Sequence, residues 1–227
     1  MIDFIQVSKR FAAQEVLRDV TFRINAGERV GIVGPNGAGK STIFNLLCGI
    51  TDVDKGDVVL PKKIRLGHLH QQLNPHAEKR NLLEYTEDSI PELKTIPKKI
   101  HSLEVELETL EKEERARKLK QIGELQHAFE HLGGYEMRTR AEAALGGLGF
   151  HESDFQKAFS SFSGGWQMRA ELARTLIANP DLLMLDEPSN YLDLPAVEWL
   201  QKFLRGYEGT MLLISHDRYL LRSLADV

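Results

Sequence analysis

The sequence predicts an α/β nucleotide-binding fold, and three stretches predict it. Residues 29–33, RVGIV, form a short apolar run suited to a buried strand; the glycine-rich GPNGAGK follows at once, and STIFNLLCG then reads as a helix closed by Gly49. A second apolar run, LLMLDE at 182–187, reads as a strand that ends in two carboxylates. Near the start, Val20, Phe22 and Ile24 alternate with Thr21, Arg23 and Asn25, the period of a half-buried strand.

Composition bounds the reading. A chain of 227 residues buries a full core, and 42% hydrophobic with 27% charged residues is globular composition, which excludes a disordered or fibrous chain. The net charge of −4 excludes a strongly basic protein but leaves local basic patches open, because distribution decides contact with nucleic acid. One cysteine, Cys48, excludes an internal disulfide, and the opening MIDFIQVSKRF lacks the apolar core of a signal peptide, so a cytoplasmic address is expected. No run approaches the ~18 apolar residues of a membrane span, so direct membrane insertion is not expected. The histidines at 68, 70, 76, 101, 127, 131 and 151 show no metal-ligand spacing, and no zinc site is predicted.

The glycine stretch carries chemistry. Gly34, Gly39, Lys40 and Ser41 fit G-x-x-x-x-G-K-[ST], the phosphate-binding loop. Glycines leave backbone N–H groups unobstructed around an anion, and the following helix turns its positive end to the same place. The expected nucleotide contacts are Gly34, Pro35, Asn36, Gly37, Ala38, Gly39, Lys40, Ser41 and Thr42. Lys40 would reach the β- and γ-phosphates, while Ser41 would hold Mg²⁺ together with Asp186 at the end of the second strand. Glu187 is then placed to orient, and to deprotonate, an attacking water.

Residues 160–174, SSFSGGWQMRAELAR, add a second anion site, with Ser163 as a helix cap ahead of exposed backbone N–H groups. Here the chain resembles the ABC ATPases, whose signature reads SGG, and the resemblance covers nearly the whole sequence. It implies a phosphate-loop ABC-type nucleotide-binding domain with an antiparallel β subdomain and a helical subdomain. It also implies roles for further residues. Gln71 of GHLHQQ would contact Mg²⁺ and the water, with Gln72 the poorer fit by spacing. Asp193 of NYLD matches the D-loop, His216 of ISHD the switch histidine, and Phe11 the aromatic that stacks on adenine. Packing of Phe11 against the β subdomain is the other reading of that position. In this family Ser163, Gly164, Gly165 and Trp166 would close over ATP held by a second cassette, in the same polypeptide or in a homodimer, and this chain carries one cassette.

Trp166 in place of the usual glutamine resembles the ABC-F branch, soluble two-cassette proteins that act mostly on ribosomes. A helical seam agrees with that branch's arm: Ile96, Ile100, Leu103, Leu107 and Leu110 recur at spacings of four and three, then Leu119, Ile122, Leu125, Phe129 and Leu132 give a second stripe. The reading is an antiparallel hairpin over about 92–132, with a first helix from about 96 to 113 and a polar tip that includes Arg115, Arg117, Lys118 and Lys120. Those cations would meet ribosomal RNA phosphates, although eight Lys and Arg balance eight Glu over residues 94–131, as on a solvated helical face. The expected organisation is residues 1–72 and 163–227 as β subdomain plus RecA-like core, and 73–162 as helical subdomain with arm. The expected activity is Mg²⁺-dependent ATP hydrolysis, weak in the isolated chain; the alternative is an ATP-binding subunit of a membrane transporter. The ending RSLADV, soon after His216, suggests either half of a longer protein or a single-cassette relative.

Overall fold

The computed structural model describes residues 1–12, 14–69, 80–107 and 111–224. Its strands are β1 (Ile2–Phe11), β2 (Gln14–Ile24), β3 (Arg29–Ile32), β4 (Lys55–Val59), β5 (Leu66–Leu69), β6 (Leu182–Asp186) and β7 (Thr210–Ile214). Two sheets result. The first is antiparallel in the order β2-β1-β4, and the second is parallel in the order β3-β7-β6-β5.

Apolar patterning explains both. The continuous runs LLML and TMLLI become the two central parallel strands, buried along their whole length, as a sheet covered on both faces requires. Alternation divides them between two cores. Leu182 and Met184 of β6 join Phe4, Val7, Leu17 and Phe44 in the core under the antiparallel sheet, whereas Leu183 and Leu185 face a second core built from the helices. In β1 and β2 one face is buried, through Ile2, Phe4, Leu17 and Ile24, and Phe4 stacks on Phe22 with centroids 4.4 Å apart. Bulges interrupt this ladder near Gln6 and Asp19, and hydroxyls satisfy the freed amides: Gln6 N donates to Thr21 Oγ1 and Asp19 N to Ser8 Oγ, each at 2.9 Å.

The helix α1 (Lys40–Leu47) runs from the glycine loop into the space between the sheets, where Phe44 and Leu47 are fully buried. After β5 come α2 (Leu82–Glu87), α3 (Glu92–Leu107), α4 (Lys112–His131) and α5 (Met137–Gly147). Then α6 (Gly164–Ile177) precedes β6, α7 (Leu194–Arg205) separates β6 from β7, and α8 (Arg218–Leu224) follows β7. Asn81 and Glu84 form a reciprocal capping box at the start of α2. The buried Tyr85 stacks on Phe159 at 3.9 Å and donates its hydroxyl to Glu171, which ties α2 to α6; burial pushes the Tyr85 phenol well above its ordinary range.

Helices α3 and α4 lie against each other, with Ile96 and Ile122 buried and Ile100, Leu103, Leu125 and Phe129 half-buried along the seam. Three expectations need correction. The first helix ends at Leu107, short of 113, and the stretch read as a polar tip forms the opening turns of α4. Glu111 enters that helix in extended conformation, and Glu113 and Glu114 sit in its first turn, where carboxylates complement the positive helix end. Leu119 is 51% exposed and stands outside the seam; one position earlier Lys118 turns inward and pairs with Glu106. Arg115, Arg117 and Lys120 stay exposed. At about 1.5 Å per residue the helices are roughly 24 and 30 Å long. Leu110 lies outside the described residues.

Because Phe44 anchors the helix behind the loop in a close-packed core, Phe44→Ala is expected to cost about 3–5 kcal/mol. Urea unfolding measures it, and a loss below about 1 kcal/mol contradicts this packing.

Candidate functional site

Three chain segments leave the parallel sheet at one level. Ile32 and Asp186 both lie opposite Ile214 in the ladder, so the glycine loop after β3, the carboxylates after β6 and the Ser215-His216 turn after β7 start side by side. This is the carboxyl edge of an open α/β sheet, where ligands bind.

Within the loop, Gly37 and Gly39 adopt φ of 81° and 87°, which side chains rarely tolerate. At Gly39 space is also short: a Cβ would lie 2.7 Å from Val16 Cγ1 and 3.2 Å from the Val16 carbonyl oxygen. Gly39 caps α1 without any side-chain hydrogen bond, which leaves the first-turn N–H groups facing the cleft. Lys40 bridges the loop, donating from Nζ to the carbonyls of Gly34 at 2.8 Å and Pro35 at 3.1 Å, and Ala38 N donates to Pro35 O at 3.2 Å. These neutral acceptors are ones that phosphate oxygens would replace to advantage, since charge-assisted bonds are the stronger.

Ser41 Oγ donates to Asp186 Oδ2 at 2.8 Å. The two oxygens form a hard donor set of the kind Mg²⁺ takes from a protein, one or two groups with waters and phosphates completing the octahedron. The residues therefore fit the ion. Beside them Glu187 is held at φ 51°, a left-handed conformation that costs a non-glycine residue about 1–3 kcal/mol. Its amide donates to Ile214 O at 2.8 Å and its Oε2 accepts from His216 N at 3.2 Å, so β7 and the turn after it impose the geometry. Oε1 is buried with no hydrogen-bond partner among the described residues, and His216 Nε2 lies 3.6 Å away. The same Nε2 is 3.3 Å from Asn36 Oδ1, which joins the histidine to the glycine loop.

Together these groups line a cleft of about 490 Å³. Of the expected nucleotide contacts, Phe11, Asn36, Gly37, Gly39, Lys40, Ser41, Thr42, Asp186, Glu187 and His216 border it; Gly34, Pro35 and Ala38 belong to the loop behind without lining it. Phe11 is 46% exposed at the rim rather than packed into the β subdomain core, and Lys9 Nζ sits 5.5 Å from its ring centroid. Gln71, with its neighbour Gln72, lies outside the described residues.

The signature residues are elsewhere. Ser163 caps α6 through extended backbone with no side-chain bond, Ser163 and Gly164 are exposed, and none of Ser163, Gly164, Gly165 or Trp166 lines the cleft. Asp193 caps α7, its Oδ1 accepting from Ala196 N at 3.3 Å. Sequence reading missed Arg169, which joins these elements. Its guanidinium stacks on Trp166 at 4.5 Å, donates to Tyr191 O at 2.6 Å and Leu148 O at 3.1 Å, and approaches Asp193 Oδ2 at 3.5 Å. The available signal was its place three residues after Trp166 on one helix face.

Comparison with known proteins agrees with this geometry. A family model described as ABC transporter matches residues 17–190. The probable ATP-binding protein YheS of Escherichia coli K12 is 37% identical over 226 residues, which is 100% of this chain and 34% of that protein. ABC transporter F family member 2 of Arabidopsis thaliana is 34% identical, covering 96% of this chain and 32% of its own. The energy-dependent translational throttle protein EttA of Mycobacterium tuberculosis is 31% identical, covering 100% and 40%. The chain thus spans about a third of the length of the curated relatives it matches. Among solved structures, an ATP-binding subunit of an ABC transporter aligns with TM-score 0.69 at 20% identity, over 100% of this chain and 83% of that one. A dimeric ATP-binding cassette in a post-hydrolysis state with ADP and Pi aligns with TM-score 0.66 at 23% identity, over 98% and 91%. At these identities the likeness shows the fold.

The two-fold demand at Gly39, for positive φ and for space, predicts that Gly39→Ala destabilises the protein by about 1–3 kcal/mol. An unchanged thermal midpoint would contradict the packing of β2 against the loop.

Proposed function

The chain belongs to the ABC family, its relatives including members of the F branch, and from that premise we propose that it is an Mg²⁺-dependent ATP-binding and ATP-hydrolysing cassette completed by a second cassette. The observation that carries this reading is the 2.8 Å bond from Ser41 to Asp186, which joins the glycine loop to the strand end beside the unpartnered oxygen of Glu187.

In the proposed mechanism the amides of Gly37 and of residues 39–42, with the Lys40 ammonium, take the triphosphate. Ser41 and Asp186 would hold Mg²⁺, with Gln71 assigned to the same ion and to the water by family resemblance; such an ion would supply charge compensation for the phosphate oxygens. Glu187 accepts the proton of the attacking water through Oε1 as oxygen bonds to phosphorus and the bond to the β–γ bridging oxygen breaks. His216, steered by Asn36 and Glu187, positions the γ-phosphate. Phe11 stacks on the base. Ser163, Gly164, Gly165 and Trp166 act on nucleotide held by the partner cassette, with Arg169 fixing Trp166 against the D-loop that carries Asp193. The isolated chain would then turn over slowly, because positioning dominates phosphoryl transfer and half of the cage is missing.

The proposed setting is the ribosome. Two features support it: EttA is named as a translational throttle protein, and the α3–α4 hairpin offers exposed Arg115, Arg117 and Lys120 to RNA phosphates. Among the described residues, no helix is long and apolar enough to cross a membrane.

Calorimetry tests the loop: Lys40→Ala should weaken Mg-ATP binding at least about tenfold, a loss of roughly 1.4 kcal/mol or more, and an unchanged affinity removes the assignment. In a protein with both cassettes, Glu187→Gln should retain ATP yet slow phosphate release by about 10²–10⁴-fold, and undiminished turnover excludes Glu187 as the base. That trapped form should also sediment with ribosomes; recovery only with solubilised membrane complexes would favour a transporter.

A further inference from the structure

The hairpin that carries Phe11 places a second side chain at the same rim. Phe11 and Gln14 are register partners that close the β1–β2 hairpin, with Ala12 at φ 52° in the turn. Paired residues of an antiparallel ladder project from one face with Cβ atoms about 5 Å apart, and both line the cleft. Two residues along β2, on the same face, Val16 also borders the cleft and abuts Gly39 of the loop. This face therefore runs from Gln14 at the outer rim, through Val16, to the phosphate loop. A nucleotide has the same order of parts: base, ribose, triphosphate.

Chemistry separates Gln14 from its neighbours. Lys9 is spent, its Nζ bound to Asp54 Oδ1 at 2.9 Å and its side chain only 12% exposed. Arg10 lies 3.6 Å from Glu15 Oε1, and its backbone N–H donates to Asp54 Oδ2 at 2.7 Å. Gln14 is exposed, and its amide has no hydrogen-bond partner among the described residues. An uncharged carboxamide offers one acceptor beside a donor. On the edge that carries N7, adenine presents the complement, an N6 amino donor beside the N7 acceptor, whereas guanine presents two acceptors, O6 and N7; guanine's O6 and N1–H edge would match a carboxamide as well, so the discrimination is assigned to the N7 edge.

We propose that Gln14 is a specificity-determining residue, its carboxamide reading the edge of a purine stacked on Phe11 and selecting adenine over guanine. The stack supplies affinity without discrimination, since it reads only the purine face; Gln14 supplies the discrimination. This rests on the proposed stacking role of Phe11. The test keeps the two apart by calorimetric titration of the chain with Mg-ATP and Mg-GTP in three variants. Wild type should bind ATP more tightly. Gln14→Ala should weaken ATP by about three- to tenfold and leave GTP nearly unchanged, so that the preference collapses. Gln14→Lys, which keeps a donor but loses the acceptor, should also lower the ATP-to-GTP ratio, because guanine's O6 and N7 both accept. Phe11→Ala should weaken both nucleotides alike. If Phe11→Ala weakens both and the Gln14 variants leave the ratio at its wild-type value, edge reading is overturned and stacking survives. If Phe11→Ala alters neither affinity, the stacking role falls and the inference with it.

Discussion

A single hydrogen bond, from Ser41 Oγ to Asp186 Oδ2, ties together the two halves of this cleft. It joins the first residues of α1, to whose backbone amides the proposed function assigns the triphosphate, to the end of a fully buried strand that positions acidic groups. Each side is rigid for a different reason. α1 is anchored by Phe44 and Leu47 between two sheets, and β6 is packed on both faces and paired on both edges. The bond therefore joins two elements that are each held by buried packing, and in the proposed function it marks where Mg²⁺ would bind.

One of the left-handed non-glycine residues lies at the same place. Glu187 departs from ordinary backbone geometry one residue beyond β6, held by Ile214 O and by the amide of His216. That arrangement leaves Oε1 buried and unpartnered among the described residues while Oε2 is committed, so the two oxygens of one carboxylate have different tasks. A buried acceptor without a donor is costly in a folded protein, and a water donating to it on ligand binding would remove that cost. In a second pocket that it lines together with Asp186 and Glu187, Arg169 fixes Trp166, Tyr191 and Leu148 through one guanidinium without strain.

Legibility in the sequence followed the locality of the signal. The strand, loop and helix around Lys40 were readable because glycine spacing and apolar runs encode them within about fifteen residues, and β6 was readable from LLML followed by two acids. The α3–α4 seam was readable from its period, but its turn was misplaced by several residues, because Glu113 and Glu114 serve as first-turn residues and not as loop. Leu119 matched the period while Lys118 took the inward place, a choice set by Glu106 on the facing helix. Arg169 offered only its spacing from Trp166, and Gln14 offered no pattern. Their meaning depends on carbonyls and a cross-strand partner that only the tertiary fold brings near.

In the proposed function the amides of Gly37 and of residues 39–42 take the triphosphate while the signature residues of the same chain do not. Hydrogen exchange of the dilute chain with and without Mg-ATP tests it most directly. Slowed exchange at residues 37–42, with 163–166 unchanged, is the predicted result; protection confined to 163–166, or none at 37–42, would contradict it.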